Sequence, residues 1–217
     1  MTTKKSALSM TGRPRGRPSA QRAAALDQLV IDTARRKFLN DGFEAVALEA
    51  VAAEAGISKG TLYARHASKE ALFLAVWEDA VGKWSAAAAR NDHLLGDDIA
   101  QRLLHHARTI AGSLLDEETR AFQRIIYANL NRFPTIAREI HNLGFRYIAS
   151  IVARDIAEAS AREGLPVRDP STAAEVFISS INGWMIQNST VRQIEEKEAM
   201  EFAAKATGIF LEGRAAW

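Results

Sequence analysis

Residues 48–66 read LEAVAAEAGISKGTLYARH, and the spacing of small, apolar and turn-forming residues in this stretch decides how the chain folds. Two short helices that cross steeply need a small residue where they approach, a residue tolerant of a left-handed backbone at the turn, and apolar positions that lock the pair. Counted from Leu48, Val51 is fourth, Ala52 fifth, Gly56 ninth, Ile57 tenth and Leu62 fifteenth. All five suit a helix-turn-helix, although an ordinary helical hairpin with a polar outer face can show the same spacing in an alanine-rich sequence. The second helix, Ser58 to Arg65, has one apolar anchor, Leu62, among hydroxyls, cations and small residues. Such a helix buries little and offers a nucleic-acid backbone its amides, hydroxyls and long cations. Lys59, Gly60 and Ala64 are expected toward the major groove, with Lys59 donating to guanine and the two small residues permitting close approach. Thr61, Tyr63 and Lys69 are expected at phosphates, and Arg65 at either.

Outward from this stretch, the pattern is helical throughout. Leu26, Leu29, Val30, Thr33, Ala34 and Phe38 fall on one face of a helix that ends at Asn40-Asp41-Gly42. Ser58 and Ser68 are expected N-caps, the latter of a connector helix over 68–90. Helices are predicted near 97–115, 117–131, 134–162, 170–191 and 196–213, with Asp169-Pro170 as a cap followed by proline at the first helical position. No alternating strand pattern or internal repeat interrupts them. The fold class is therefore all-α: a small N-terminal helical domain with the helix-turn-helix over 19–67, and a larger C-terminal helical bundle domain over 68–217.

Charge is distributed unevenly. The 217 residues carry a net charge of +2, but residues 1–26 hold six cations (Lys4, Lys5, Arg13, Arg15, Arg17, Arg22) and no acid, which leaves −4 on the rest. A basic end on a mildly acidic body suits a polyanion partner, although a solvated charge run has the same composition. Within residues 1–18, Gly12, Pro14, Gly16 and Pro18 stand among the charges, a composition of a disordered arm. Its Pro14-Arg15-Gly16-Arg17-Pro18 segment resembles the core of an AT-hook: Arg13, Arg15 and Arg17 suit the negative potential of a narrow A·T minor groove, with glycine permitting close approach.

With its signature between Gly42-Phe43 and Phe73, including AGISKGTLY at 55–63 and SKEALF at 68–73, the chain resembles the TetR family of bacterial repressors over about 55 residues, from the first helix into the fourth. The resemblance implies a homodimer, a three-helix DNA-binding domain and a C-terminal domain that binds an inducing small molecule. It carries DNA contact onto Lys59, Gly60, Thr61, Tyr63 and Lys69. Two positions depart from the pattern. Val46-Ala47 stand where the family places a hydroxyl that caps the second helix and touches phosphate, and His66 stands where the family has Phe. The segment Arg124-Ile125-Ile126-Tyr127, with Arg132-Phe133-Pro134, is similar to the C-terminal domain of the AcrR-like and AefR-like branch.

In the C-terminal half, residues 170–191 and the last helix are apolar around most of their circumference, and helices apolar on two sides are buried on two sides. The family's dimer interface, a four-helix bundle from its last two helices, is accordingly expected at Phe177, Ile181, Trp184, Phe202, Ala206 and Phe210, with Ser179, Ser180 and Gly183 allowing close approach, against the alternative that the bundle closes within one chain. Trp84, His106, Phe122, Tyr127 and Trp184 are candidates for an aromatic effector pocket, against the alternative that each is core.

Catalysis has no nominee. There is no cysteine, no Gly-x-Gly, no Walker loop and no His-Glu-x-x-His, and adjacent His105-His106 point to different helix faces. No cofactor or metal is expected, and no segment reads as a signal peptide or membrane span, so the expected location is the cytoplasm. The reading is a sequence-specific, operator-binding transcriptional regulator, a repressor released by a small-molecule effector. The alternatives are an architectural A·T-preferring DNA binder without an effector, and a helical enzyme.

Overall fold

The structure is a computed structural model that describes residues 20–90, 95–129 and 133–217. The arginine arm of residues 1–18 lies outside the described residues, as does Arg132. The described residues form ten α-helices and no strand: α1 (Ala20–Asp41), α2 (Leu48–Glu54), α3 (Lys59–Tyr63), α4 (Lys69–Ala89), α5 (Ile99–Leu115), α6 (Glu117–Asn129), α7 (Pro134–His141), α8 (Tyr147–Glu163), α9 (Pro170–Ser189) and α10 (Glu196–Glu212).

The helix starts follow the expected chemistry. Asp169 accepts from the Thr172 N–H at 3.0 Å and Ser68 from the Ala71 N–H at 3.1 Å, each satisfying a donor that has no intrahelical partner. The stretch expected as one helix over 134–162 is continuous but not uniform. Between α7 and α8, Asn142–Arg146 form a π-turn. Here the backbone widens by one residue, and Gly144 comes so close to α4 that a Cβ added to it would lie 3.4 Å from the Trp77 ring. The 3.6-residue periodicity of the sequence carries no mark of this extra residue.

Two apolar cores result. One joins α5, α8, α9 and α10 around Leu103, Val152, Ile156, Phe177, Ile178 and Ile181. The other begins in the helix-turn-helix with Val30, Phe38, Val51 and Leu62 and continues along α4 through Leu72, Phe73, Val76 and Trp77 to Phe122 of α6 and Ile140 of α7. The connector helix is thus a core element for most of its length. Phe38, Phe43, Phe73, Phe122 and Trp77 meet ring to ring with centroids 5.2–6.2 Å apart, within the range where edge-on and offset aromatic pairs attract.

Phe177 and Ile181, expected at a dimer interface, are instead wholly buried in the chain's own core. A helix apolar all round is buried on several sides, and the spacing does not say which side faces its own chain. Trp184, Phe202, Ala206 and Phe210 are half-buried, with Trp184 stacked on Phe202 at 4.2 Å. The outward apolar residues are Val176 (56% exposed) and Ile209 (62%), beside exposed Ser180 and Gly183.

Phe122 is fully buried where the two structural halves share a core. Phe122→Ala is expected to cost about 3–5 kcal/mol and to lower the melting of both halves together, as followed by far-UV circular dichroism and by tryptophan emission. Separate transitions would contradict a shared core.

Candidate DNA-binding surface

The helix-turn-helix closes as its spacing requires. Val51 and Leu62 are fully buried and Ala52 nearly so, while Gly56 takes the turn with φ of +67°, a left-handed conformation that a side chain would strain. The Ile57 N–H donates to the Ala52 carbonyl at 2.9 Å, stitching the turn to α2. Ser58 caps α3, its hydroxyl accepting from the Thr61 N–H at 3.0 Å and lying 2.8 Å from the Thr61 hydroxyl. Buried through Leu62 alone, α3 leaves Lys59, Gly60, Tyr63 and Ala64 exposed on one surface.

The cations of this surface are already engaged. Lys59 pairs with Glu49 of α2 and stands over the Tyr63 ring, 5.5 Å from its centroid. The Lys59 side chain holds the Glu49 carboxyl below its usual range, and Glu49 in turn raises the Lys59 ammonium. Arg65 pairs with Asp27 of α1. Lys69 donates to the Glu44 carbonyl at 2.9 Å and lies over the Phe43 ring, 4.9 Å from its centroid. These contacts orient the long side chains of this surface. Glu49 and Asp27 escape a search for cations, though Glu49 stands one position after Leu48 in the stretch that defines the motif.

The two departures have clear structural outcomes. Val46 is buried in the headpiece core, and Ala47 takes the extended N-cap conformation of α2 with no side-chain bond to the helix amides. His66 is half-buried; burial, aided by Arg65, lowers its pKa against the pull of Asp27.

The five candidate effector residues do not converge. Trp84 and Phe122 meet beside Trp77. Tyr127 is 56% exposed, and Trp184 packs on α10. His106 belongs to a different group: its Nε2 lies 2.7 Å from Asp155 Oδ2, while Arg102 donates to Oδ1 at 2.8 Å. Burial pushes the Asp155 carboxyl up, but the bonds from His106 and Arg102 outweigh it and leave the group below its ordinary value. Sequence reasoning missed Asp155, for which its place among Val152, Ile156 and Ala159 of α8 was the available signal.

Residues 30–76 match the family described as bacterial regulatory proteins, tetR family. Residues 101–213 match the AefR-like transcriptional repressor, C-terminal domain. No curated protein sequence matches the chain. Among solved structures, a TetR-family transcriptional regulator from Mesorhizobium loti MAFF303099 is 25% identical with a TM-score of 0.76, the match covering 88% of this chain and 97% of that one. The Flavonoid-responsive Regulator FrrA is 28% identical with a TM-score of 0.72, over the same shares of the two chains. A transcriptional regulator from Pseudomonas aeruginosa PAO1, at 16% identity, shares the fold over 93% of this chain and 96% of that one, with a TM-score of 0.74.

Two expectations test this geometry. Ala47→Thr supplies the missing cap and is expected to stabilise the protein by about 1 kcal/mol, read as a rise in melting temperature; no rise would mean that α2 gains nothing from a cap. Asp155→Asn removes a buried, doubly bonded charge and is expected to cost about 3 kcal/mol or more. Because the folded carboxyl lies below its unfolded value of about 3.9, the stability it confers is complete above that value and fades as pH falls through the folded one. The gap between parent and variant in urea unfolding therefore narrows below about pH 4.

Proposed function

The chain belongs to the TetR family of bacterial regulatory proteins and is a DNA-binding transcriptional regulator with an AefR-like C-terminal domain; from that premise we propose that it is a homodimeric repressor, released from its operator by a small-molecule effector. The observation that carries this reading is α3, capped, held by Leu62 alone, and presenting Lys59, Gly60, Tyr63 and Ala64 together. In the complex, Lys59 leaves Glu49 to donate to a guanine, Gly60 and Ala64 admit the helix to the major groove, and Thr61, Tyr63 and Lys69 hold phosphates, with Arg65 at a base or a phosphate. Arg13, Arg15 and Arg17 follow the adjacent minor groove.

Two such helices reach successive major grooves, about 34 Å apart, only in a dimer. Exposed Val176 and Ile209, with small Ser180 and Gly183 beside them, suit the face where α9 and α10 of two copies pack as a four-helix bundle. A groove of about 410 Å³ lined by Val176, Ile209, Phe210 and Trp217 runs along it. An effector acts by favouring a state whose helix separation no longer fits the operator, and a ligand bound equally by both states would not induce. A regulator 28% identical to the chain is flavonoid-responsive by name, which supports an aromatic effector of that kind here. No described helix is long and apolar enough to cross a membrane, and a chromosomal DNA partner puts the work of the protein in the cytoplasm. Nothing in this reading requires catalysis.

Selection from random-sequence DNA, followed by footprinting, is expected to return a two-fold symmetric site with half-sites about one helical turn apart. Lys59→Ala is expected to weaken binding to it by about 1–3 kcal/mol and to relax the choice at one base pair. Deleting residues 1–18 is expected to flatten the dependence of log affinity on log salt by about 0.9 for each phosphate that the arm no longer neutralises. Equal affinity for the selected and scrambled sites would overturn operator recognition in favour of an architectural DNA binder.

A further inference from the structure

The Trp77 indole stands out among the buried polar groups. Trp77 is 7% exposed, and its Nε1–H is buried without a hydrogen-bond partner among the described residues. A buried donor left unpaired costs about as much as a lost hydrogen bond and needs a reason. Three features converge on it. The ring stands edge-on to Trp84 at 5.5 Å and to Phe122 at 5.7 Å, and those two meet at 6.2 Å, forming an aromatic trio. Beside it lies the π-turn of Asn142–Arg146, with Gly144 against the indole; single π-turns inside helices recur at functional sites. Trp84 is only half-buried, so the trio has a side open to solvent.

We propose that the seam between α4 and the π-turn is the effector site, with the Trp77 indole N–H as its polar handle, and that it takes a planar aromatic molecule bearing a carbonyl or phenolic acceptor. This rests on the effector-released reading above and names the ligand class and the residues. Rings of the ligand stack on the face-and-edge surfaces of Trp77, Trp84 and Phe122, and one oxygen accepts from Nε1. In this conformation the seam is closed. One turn along it, the cavity between Phe73 and Ile140 has a volume of about 20 Å³ and an apolar lining, room for no more than one water. A ligand of this class therefore binds only a state in which α4 has moved away from the π-turn, which is the differential affinity that induction requires. Since α4 continues directly into the headpiece core through Phe73 and Leu72, parting this seam moves the DNA-binding helices.

The test uses the full-length, ¹⁵N-labelled protein with flavone as the acceptor-bearing probe and 2-phenylnaphthalene as a hydrocarbon of the same shape. The Trp77 indole resonance is identified as the one that disappears in Trp77→Phe. Flavone is expected to move it downfield and 2-phenylnaphthalene is not, and Trp77→Phe is expected to lower flavone affinity about tenfold, the loss of one buried hydrogen bond. Gly144→Ala leaves the free protein folded, because the added methyl makes only an ordinary contact with the Trp77 ring, and it is expected to lower flavone affinity by narrowing the seam. Absence of any flavone binding, an unmoved Trp77 resonance at saturation, or parent-like affinity in both variants overturns the site. If flavone engages Trp77 but leaves the protein on its selected DNA, the site stands and the effector-released reading fails. If flavone releases the DNA with Trp77 unmoved, that reading stands and the site fails.

Discussion

The packing of α4 against two partners at once sets the terms for the rest of the molecule. Its N-terminal half supplies Leu72, Phe73 and Val76 to the core that holds the helix-turn-helix together. The next turns carry Trp77 to Phe122 of α6 and to the π-turn between α7 and α8. A five-residue helix such as α3 and a seven-residue helix such as α2 cannot be stable in isolation, since a short helix gains little for the cost of nucleating it. They persist because Val51 of α2 and Leu62 of α3 are buried in the same core as Val30 and Phe38 of α1 and Leu72 of α4. Polar contacts follow the same line: Arg35 of α1 pairs with Asp79 of α4 and with Glu118 of α6, the latter at 3.5 Å. Burial would raise the Asp79 carboxyl, but Lys83, Gln28 and Arg35 together hold it low.

Much of this was legible in the sequence, and what was legible has a common character. Ser58, Ser68 and Asp169 announce helix starts because capping depends on one side chain and amides two or three residues away. Gly56 announces the turn because only glycine takes its backbone without strain. The helix-turn-helix could be read from Leu48 to Leu62 because both of its helices and their contacts lie within one short stretch. TetR membership followed from the same stretch.

What was not legible depends on residues far apart in the chain. Phe177 and Ile181 were assigned to an interface because periodicity reports that a side is apolar and not which helix covers it; α5, α8 and α10 do so. Phe122 and Trp84 belong together, but only the fold shows that Trp77 completes the group, and that Tyr127, Trp184 and His106 lie elsewhere. The buried Asp155 is balanced by Arg102 and His106, which precede it by about fifty positions. The π-turn brings Gly144 beside Trp77 of another helix, and no local pattern encodes that contact.

The single anchor of α3 has a consequence for how such a protein diversifies. Since Leu62 alone commits this helix to the core, Lys59, Gly60, Tyr63 and Ala64 carry almost no obligation to the fold. Substitutions there remake the outer face of α3 while leaving the headpiece core untouched, so this surface can change by a few exchanges without compensating changes inside. The contacts of Trp77 with Phe122 and Gly144 lie in a different layer, so the interior beneath α4 and the outer face of α3 can change independently of each other.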